Sequence, residues 1–276
     1  MNTVTVIAPG LLGGSILKTL RRAAPTTRLK VYARRAATRR AVSDTGLADT
    51  VSDSPAEAAA DSDLVILCTP VHAMRGVVEE LLPALAPSAI VTDVGSVKAP
   101  VHAALAPLLA GRAHWIGSHP MAGAEQSGLA AARDNLFAGT VTILTPAPDA
   151  DRDAVARLRD FWATLGARAL TLTPARHDEL VAEISHLPHL LAALLVNTVS
   201  GDSLPLAGPG FRDATRIAAG PPELWLEILQ TNRAATVSAL EKFQAAVARA
   251  RDILAADDRA ALARLLTAAS ERRREL

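Results

Sequence analysis

The chain has almost nothing with which to crosslink itself: one cysteine, Cys68, in 276 residues, so no intrachain disulfide forms. Cys68 ends the apolar run Leu64 to Leu67, where an ordinary packed thiol is expected. Aromatic residues are scarce and alanine abounds, a balance that favours helices packed through small side chains over an all-β design. An excess of one charge is missing as well. With 29 basic against 28 acidic side chains there is no electrostatic footprint for nucleic acid, and the closing run Glu271 to Glu275 is short and mixed. No stretch of about 18 uninterrupted apolar residues offers itself to a bilayer, and Thr3 to Ile7 is already strand-like where a secretory leader would lie. Repeats, low-complexity tracts and long linkers are absent too. The expectation is a cytoplasmic protein with a small-molecule substrate and neither nucleic acid nor membrane as partner.

What is present starts with the β-branched run Val4 to Ile7, a glycine turn, and a helical pattern from Ile16 to Arg22. In dinucleotide folds such a turn lets the backbone approach a pyrophosphate, and the helix start holds its charge. The candidate cofactor residues here are Ala8, Gly10, Leu11, Leu12 and Gly13, with Ala8 standing where the GxGxxG pattern has its first glycine. Further strands are expected at Leu29 to Tyr32, Leu64 to Cys68, Ile90 to Asp93, Ala113 to Ile116, Val141 to Leu144 and Ala167 to Thr173. Thr69, just past the second of these runs, is a further cofactor candidate. After Leu29 to Tyr32, NAD-binding chains carry an acid for the ribose hydroxyls. This chain has Ala33-Arg34-Arg35 instead, with no Asp or Glu between Lys30 and Arg40. Arg34 and Arg35 would grip a 2′-phosphate, so NADP is the expected cofactor with NAD tolerated; the alternative is two solvated arginines.

After Pro174 the pattern turns helical almost to the end. The reading is an α/β fold: a Rossmann-type dinucleotide-binding domain over residues 1–173, then an all-α dimerisation domain over residues 174–276. Asp93 to Lys98 follows a strand and lies at the carboxyl edge of the sheet, so Ser96 would reach the cleft or cap the next helix. Gly117 to Gly128 places an imidazole, a carboxylate and several glycines together, with His119 on a strand-end loop before Pro120. Ser185 and His189 are four apart and share a helix face, and Pro188 is expected to kink that helix. Neighbouring histidines invite a metal reading, yet His186-Leu187-Pro188-His189 lacks the zinc-hydrolase spacing, so none is expected. Arg216, after the turn Gly208 to Gly210, is a candidate carboxylate clamp. Wide apolar stripes from Leu224 to Leu266 point to packing between two subunits.

Together, Gly10 to Ser15, Asp93 to Lys98, Gly117 to Gly123 with Glu125, His177-Asp178, Ser185 to His189 and Phe211 to Ala218 resemble the prephenate and arogenate dehydrogenase family of tyrosine biosynthesis. The likeness covers nearly the whole chain. It implies a homodimer formed by the helical domain, and oxidative decarboxylation: hydride leaves C4 of the cyclohexadienol for the nicotinamide, and the ring carboxylate leaves as carbon dioxide. By that likeness His119 would be the general base on the 4-hydroxyl, and Ser96 would bond the same hydroxyl or orient the histidine. Ser185, His189 and Arg216 would hold the substrate's carboxylates and side chain, and His177 would sit at the pocket rim. Glu125 would pair with Arg216, within one subunit or across two, as a gate. Prephenate is the expected substrate, with arogenate or 4-amino-4-deoxyprephenate as alternatives, and any tyrosine inhibition would act at the active site. A 6-phosphogluconate-type dehydrogenase would need a lysine where Arg176 to His189 has none. A non-catalytic sensor would bind the nucleotide without turnover.

Overall fold

The computed structural model describes residues 1–124 and 126–275. Eight strands among them form one sheet: β1 Thr3–Ile7, β2 Arg28–Tyr32, β3 Thr50–Ser52, β4 Leu64–Leu67, β5 Ile90–Asp93, β6 His114–Pro120, β7 Val141–Pro146 and β8 Arg168–Thr171. Their order is β3-β2-β1-β4-β5-β6-β7-β8. The first six run parallel; β7 is antiparallel to β6, and β8 parallel to β7. Chain order reverses beside β1, between β2 and β4, which is the crevice where open α/β sheets take their ligands.

Successive side chains on a strand point to opposite faces, and the core divides accordingly. Val4, Val6, Leu64 and Ile66 join one cluster, whereas Ile7, Val65 and Leu67 join the other. Helices α1 Leu11–Ala23, α2 Ala36–Asp44, α3 Pro55–Ala59, α4 Val71–Leu81, α5 Ala99–Leu109 and α6 Arg152–Thr164 cover the two faces. Ile16, Leu17 and Leu20 of α1 and Leu158, Phe161 and Trp162 of α6 are buried on the first face, Met74 and Val78 of α4 and Val101 and Leu105 of α5 on the second. Each such side chain contributes about 1.5–3 kcal/mol by leaving water.

Two strands differ from the expected pattern. β3 has three half-buried residues, too few to show a period. β6 continues through His119 and Pro120, so the histidine lies in a strand paired with Ile143 of β7 and not in a loop. Proline is accommodated because Met121, one residue on, donates to the Val141 carbonyl, leaving Pro120 at a site where β7 asks for no amide.

Beyond β8 every described element is helical: α7 Pro174–Val181, a π-helical turn Ala182–His186, α8 Leu187–Thr198, α9 Pro209–Thr215, α10 Pro222–Thr231, α11 Arg233–Ala255 and α12 Arg259–Arg274, besides short 3₁₀ turns. The kink expected from Pro188 takes the form of the π turn, in which the Leu187 amide donates to the Ala182 carbonyl five residues back. The unbroken run Pro174–Thr198 is long and apolar enough to cross a membrane by length and composition. Its His177, Asp178, His186 and His189 are nevertheless buried against protein, and it carries Arg176, Glu179 and Glu183, which marks it as a helix packed against the rest of the chain. Among the described residues, the large exposed hydrophobic side chains other than Leu170 lie in this helical region, among them Leu194, Leu226, Phe243 and Leu266.

Candidate active site

The glycine turn sits at the carboxyl end of β1. Ala8 has φ of 64°, the left-handed conformation that favours glycine, and its β-carbon makes that conformation costly by about 1–2 kcal/mol. The turn keeps the required backbone shape despite Ala8: the Ala8 amide donates to the Tyr32 carbonyl and the Gly10 amide to the Ala8 carbonyl, both at 2.9 Å. Gly10 begins α1 with no side-chain cap, and no acid occupies the first turn, so the helix start is open to an anion. A β-carbon on Gly13 would lie 2.8 Å from Val6 Cγ1, and one on Gly14 2.6 Å from Leu129 Cδ1. Those glycines let α1 press on the sheet and on the turn Leu129–Ala131. Thr69, past the end of β4, has its buried hydroxyl without a partner among the described residues. An uncapped helix start beside an orphaned hydroxyl fits a dinucleotide held by the backbone of Gly10 to Gly13. Arg34 and Arg35 are exposed in the loop after β2, whose Ala33 and Arg34 carbonyls accept from Arg39 Nη1 at 2.9 and 2.8 Å.

On β6 the His119 ring is 7% exposed and its Nδ1 lies 2.8 Å from Nε2 of His177. His177 is fully buried at the inner face of α7, not at a rim as expected, and its Nδ1 is 2.7 Å from Asp178 Oδ1. The same carboxylate accepts the amides of Lys98 at 2.7 Å and Ala99 at 2.9 Å, the first free donors of α5. That cap, supplied from α7, is the one the alternative reading gave to Ser96; Ser96 is half-buried and makes no side-chain hydrogen bond among the described residues. Burial holds the His119 pKa well below its ordinary value of 6.5, with His177, Lys98 and His186 adding to the depression.

Beneath this chain Lys98 and Asp93 form a fully buried ion pair. Asp93 also accepts the Gly95 amide at 2.8 Å and the Ser118 amide at 3.2 Å, which ties the residue before His119 to β5. The Ser118 hydroxyl meets Thr92 at 2.7 Å and accepts from Trp162 Nε1 at 3.2 Å.

The helical region brings His189 against Trp225, rings stacked 3.5 Å apart, and Gly220 leaves room for that indole. Asn232 Nδ2 donates to the Asp178 carbonyl at 2.8 Å and to His186 Nδ1 at 3.1 Å. His186 Nε2 and His189 Nδ1 are buried without partners among the described residues, and burial lowers His186 to about 4. Ser185 is half-buried in the π turn and Arg216 is exposed at the start of the 3₁₀ turn Arg216–Ala219. Glu125 lies outside the described residues. No group of three or more His, Cys, Asp or Glu among those described has the arrangement of a metal site. Sequence reasoning passed over Asp178, Asn232 and Trp225 as site residues. Only Asp178 left a signal: an acid beside a histidine, on a helix with an apolar inner face.

Comparison with known proteins gives one family over both regions. A family model described as prephenate dehydrogenase, nucleotide-binding domain, matches residues 16–171, and one described as prephenate dehydrogenase, dimerization domain, matches residues 173–268. Cyclohexadienyl dehydrogenase of Zymomonas mobilis is 34% identical over 262 residues, 92% of this chain and 89% of that one. Prephenate dehydrogenase of Bacillus subtilis is 34% identical over 84% of this chain and 64% of its own length. The crystal structure of prephenate dehydrogenase from A. aeolicus with hydroxyphenyl propionate and NAD+ superposes with a TM-score of 0.92 at 30% identity, covering 100% of this chain and 98% of that one. Synechocystis arogenate dehydrogenase gives 0.86 at 31% identity, covering 99% of each chain.

Proposed function

The chain belongs to the prephenate dehydrogenase family, and on that premise we propose that it converts prephenate to 4-hydroxyphenylpyruvate with NADP as preferred cofactor. It is a dehydrogenase of prephenate type that uses a nicotinamide nucleotide. The observation that carries the finer reading is His119, at the carboxyl edge of the sheet, with Nδ1 bonded to His177 and Nε2 making no hydrogen bond among the described residues. That nitrogen accepts the proton of the substrate's 4-hydroxyl as C4 gives up hydride, and returns it to the phenol oxygen once the ring carboxylate has left as carbon dioxide. The nicotinamide, when bound, supplies the hydride acceptor. Ser96 orients the hydroxyl, while Ser185, His189 and Arg216 receive the carboxylates and side chain. The buried Nδ1 of His189, without a partner among the described residues, supports this assignment.

The same reading divides the chain at residue 173 and pairs two copies through the helical region, whose exposed apolar side chains include Leu194, Leu226 and Phe243. NADP preference rests on Arg34 and Arg35 in a loop that contains no acid. Reduced-nicotinamide absorbance, followed with prephenate, arogenate and 4-amino-4-deoxyprephenate and with both cofactors, is the direct test. Prephenate with NADP is expected to give the highest kcat/KM, and no turnover with any combination would reject the enzyme reading. In Arg34→Ala the KM for NADP is expected to rise about tenfold or more, the worth of one charge-assisted hydrogen bond, with KM for NAD unchanged. Wild-type protein that uses NAD as well as NADP rules out the preference.

A further inference from the structure

The His119, His177, Asp178 chain has a direction, fixed at its far end. Ionised Asp178 only accepts hydrogen bonds, and two of its acceptor positions are filled by the Lys98 and Ala99 amides. The 2.7 Å contact with His177 Nδ1 therefore requires the proton on that nitrogen. With a single proton on its ring, His177 has its lone pair on Nε2, so at the 2.8 Å contact His119 Nδ1 is the donor. The remaining nitrogen of His119, Nε2, is left with its lone pair.

We infer that His177 and Asp178 are positioning residues: Asp178, seated on the amides at the start of α5, fixes the tautomer of His177, and through it that of His119. The two regions of the chain meet in this carboxylate, since Lys98 and Ala99 belong to the sheet region and Asp178 to the helical one. Asn232 adds to the seat by donating to the Asp178 carbonyl. Base competence at His119 is thus a property of the docked pair of regions, and neither region holds the full chain alone. Among the described residues Lys98 and His186 are the other ionisable groups that act on His119; Lys98 is engaged by Asp93, and His186 accepts from Asn232.

Asp178→Asn tests the direction. With its NH2 group in the place of Oδ1, against His177 Nδ1, asparagine gives up the Lys98 amide and keeps its oxygen on the Ala99 amide; both imidazoles must then reverse, which puts a proton on His119 Nε2. We expect kcat with prephenate to fall at least about a hundredfold with KM values within about threefold of wild type; the corresponding exchange in a serine-protease triad costs about 10⁴. A second pair of variants holds if Asp178→Asn fails to fold. His177→Gln retains an acceptor for His119 Nδ1 and should keep kcat within about tenfold, whereas His177→Leu leaves that N–H unpaired and should lose about a hundredfold or more. Equal kcat in the Gln and Leu variants, or Asp178→Asn within about threefold of wild type, overturns the inference. It rests on His119 as base, and His119→Asn separates the two ideas. A strong loss there beside normal Asp178→Asn kinetics removes only the relay, while an active His119→Asn enzyme removes the base itself.

Discussion

In His119→Asn, kcat is expected to fall by about a hundredfold to ten-thousandfold, the usual worth of a general base, with the affinity for nicotinamide nucleotide unchanged. Asparagine fits the β6 site and retains a donor towards His177, so the sheet and the buried contact survive while the free lone pair of Nε2 is lost. Steady-state turnover together with cofactor titration reads both halves; a loss under about tenfold would deny His119 the role. The pH profile of the wild type carries a second signature. The His119 pKa lies well below 6.5, first because burial penalises the cation and then because Lys98, and His177 or His186 whenever either is protonated as well, repel it. The acids facing the cluster are committed elsewhere, Asp178 to His177 and the α5 amides, Asp93 to Lys98. A base works unprotonated, so the acid limb of kcat/KM should have its midpoint below about 6.5. Stability follows the same sign. The unfolded chain takes up these protons first as pH falls below about 6.5, so folding weakens on the acid side, where His186, at about 4, adds to the loss.

The parts of this arrangement that follow local rules are legible in the residues. β1, β2, β4 and β5 are short apolar or β-branched runs bounded by turn residues, and the glycine turn after β1 announces itself even with Ala8 in place of a glycine, because one residue bears the strained conformation. Long-range partners are another matter. Pro120 reads as part of a loop beyond a strand that ends at Ile116, and only the register with β7 shows that its missing amide removes no ladder bond. The family likeness alone puts His177 at the pocket rim; its burial depends on which helix face meets the sheet. Asp178 caps a helix 79 residues earlier in the chain, a pairing no periodicity reveals. The π turn follows from Pro188 in hindsight, yet the same proline would equally have produced a simple bend.

Lys98→Met is the substitution expected to cost the fold most, about 3–5 kcal/mol, the range for breaking one side of a buried ion pair. Both side chains are fully buried. Without the ammonium, the Asp93 carboxylate has, among the described residues, only the Gly95 and Ser118 amides to offset its desolvation. Its pairing with Lys98 is what makes a charge tolerable under β6, and burial already lowers the lysine pKa against the opposing pull of Asp93. Chemical denaturation should show the loss in Lys98→Met, and the double variant Asp93→Leu/Lys98→Met should recover much of it, because two apolar side chains remove the uncompensated charge together. A single variant within about 1 kcal/mol of wild type would mean that the pair does not hold this corner of the sheet. The repulsion that Lys98 exerts on His119 would also be gone, so in whatever folded Lys98→Met remains the acid limb of kcat/KM should move upward, towards 6.5. Both effects arise from one ammonium: it makes the Asp93 carboxylate tolerable beneath β6 and helps keep the imidazole above it uncharged.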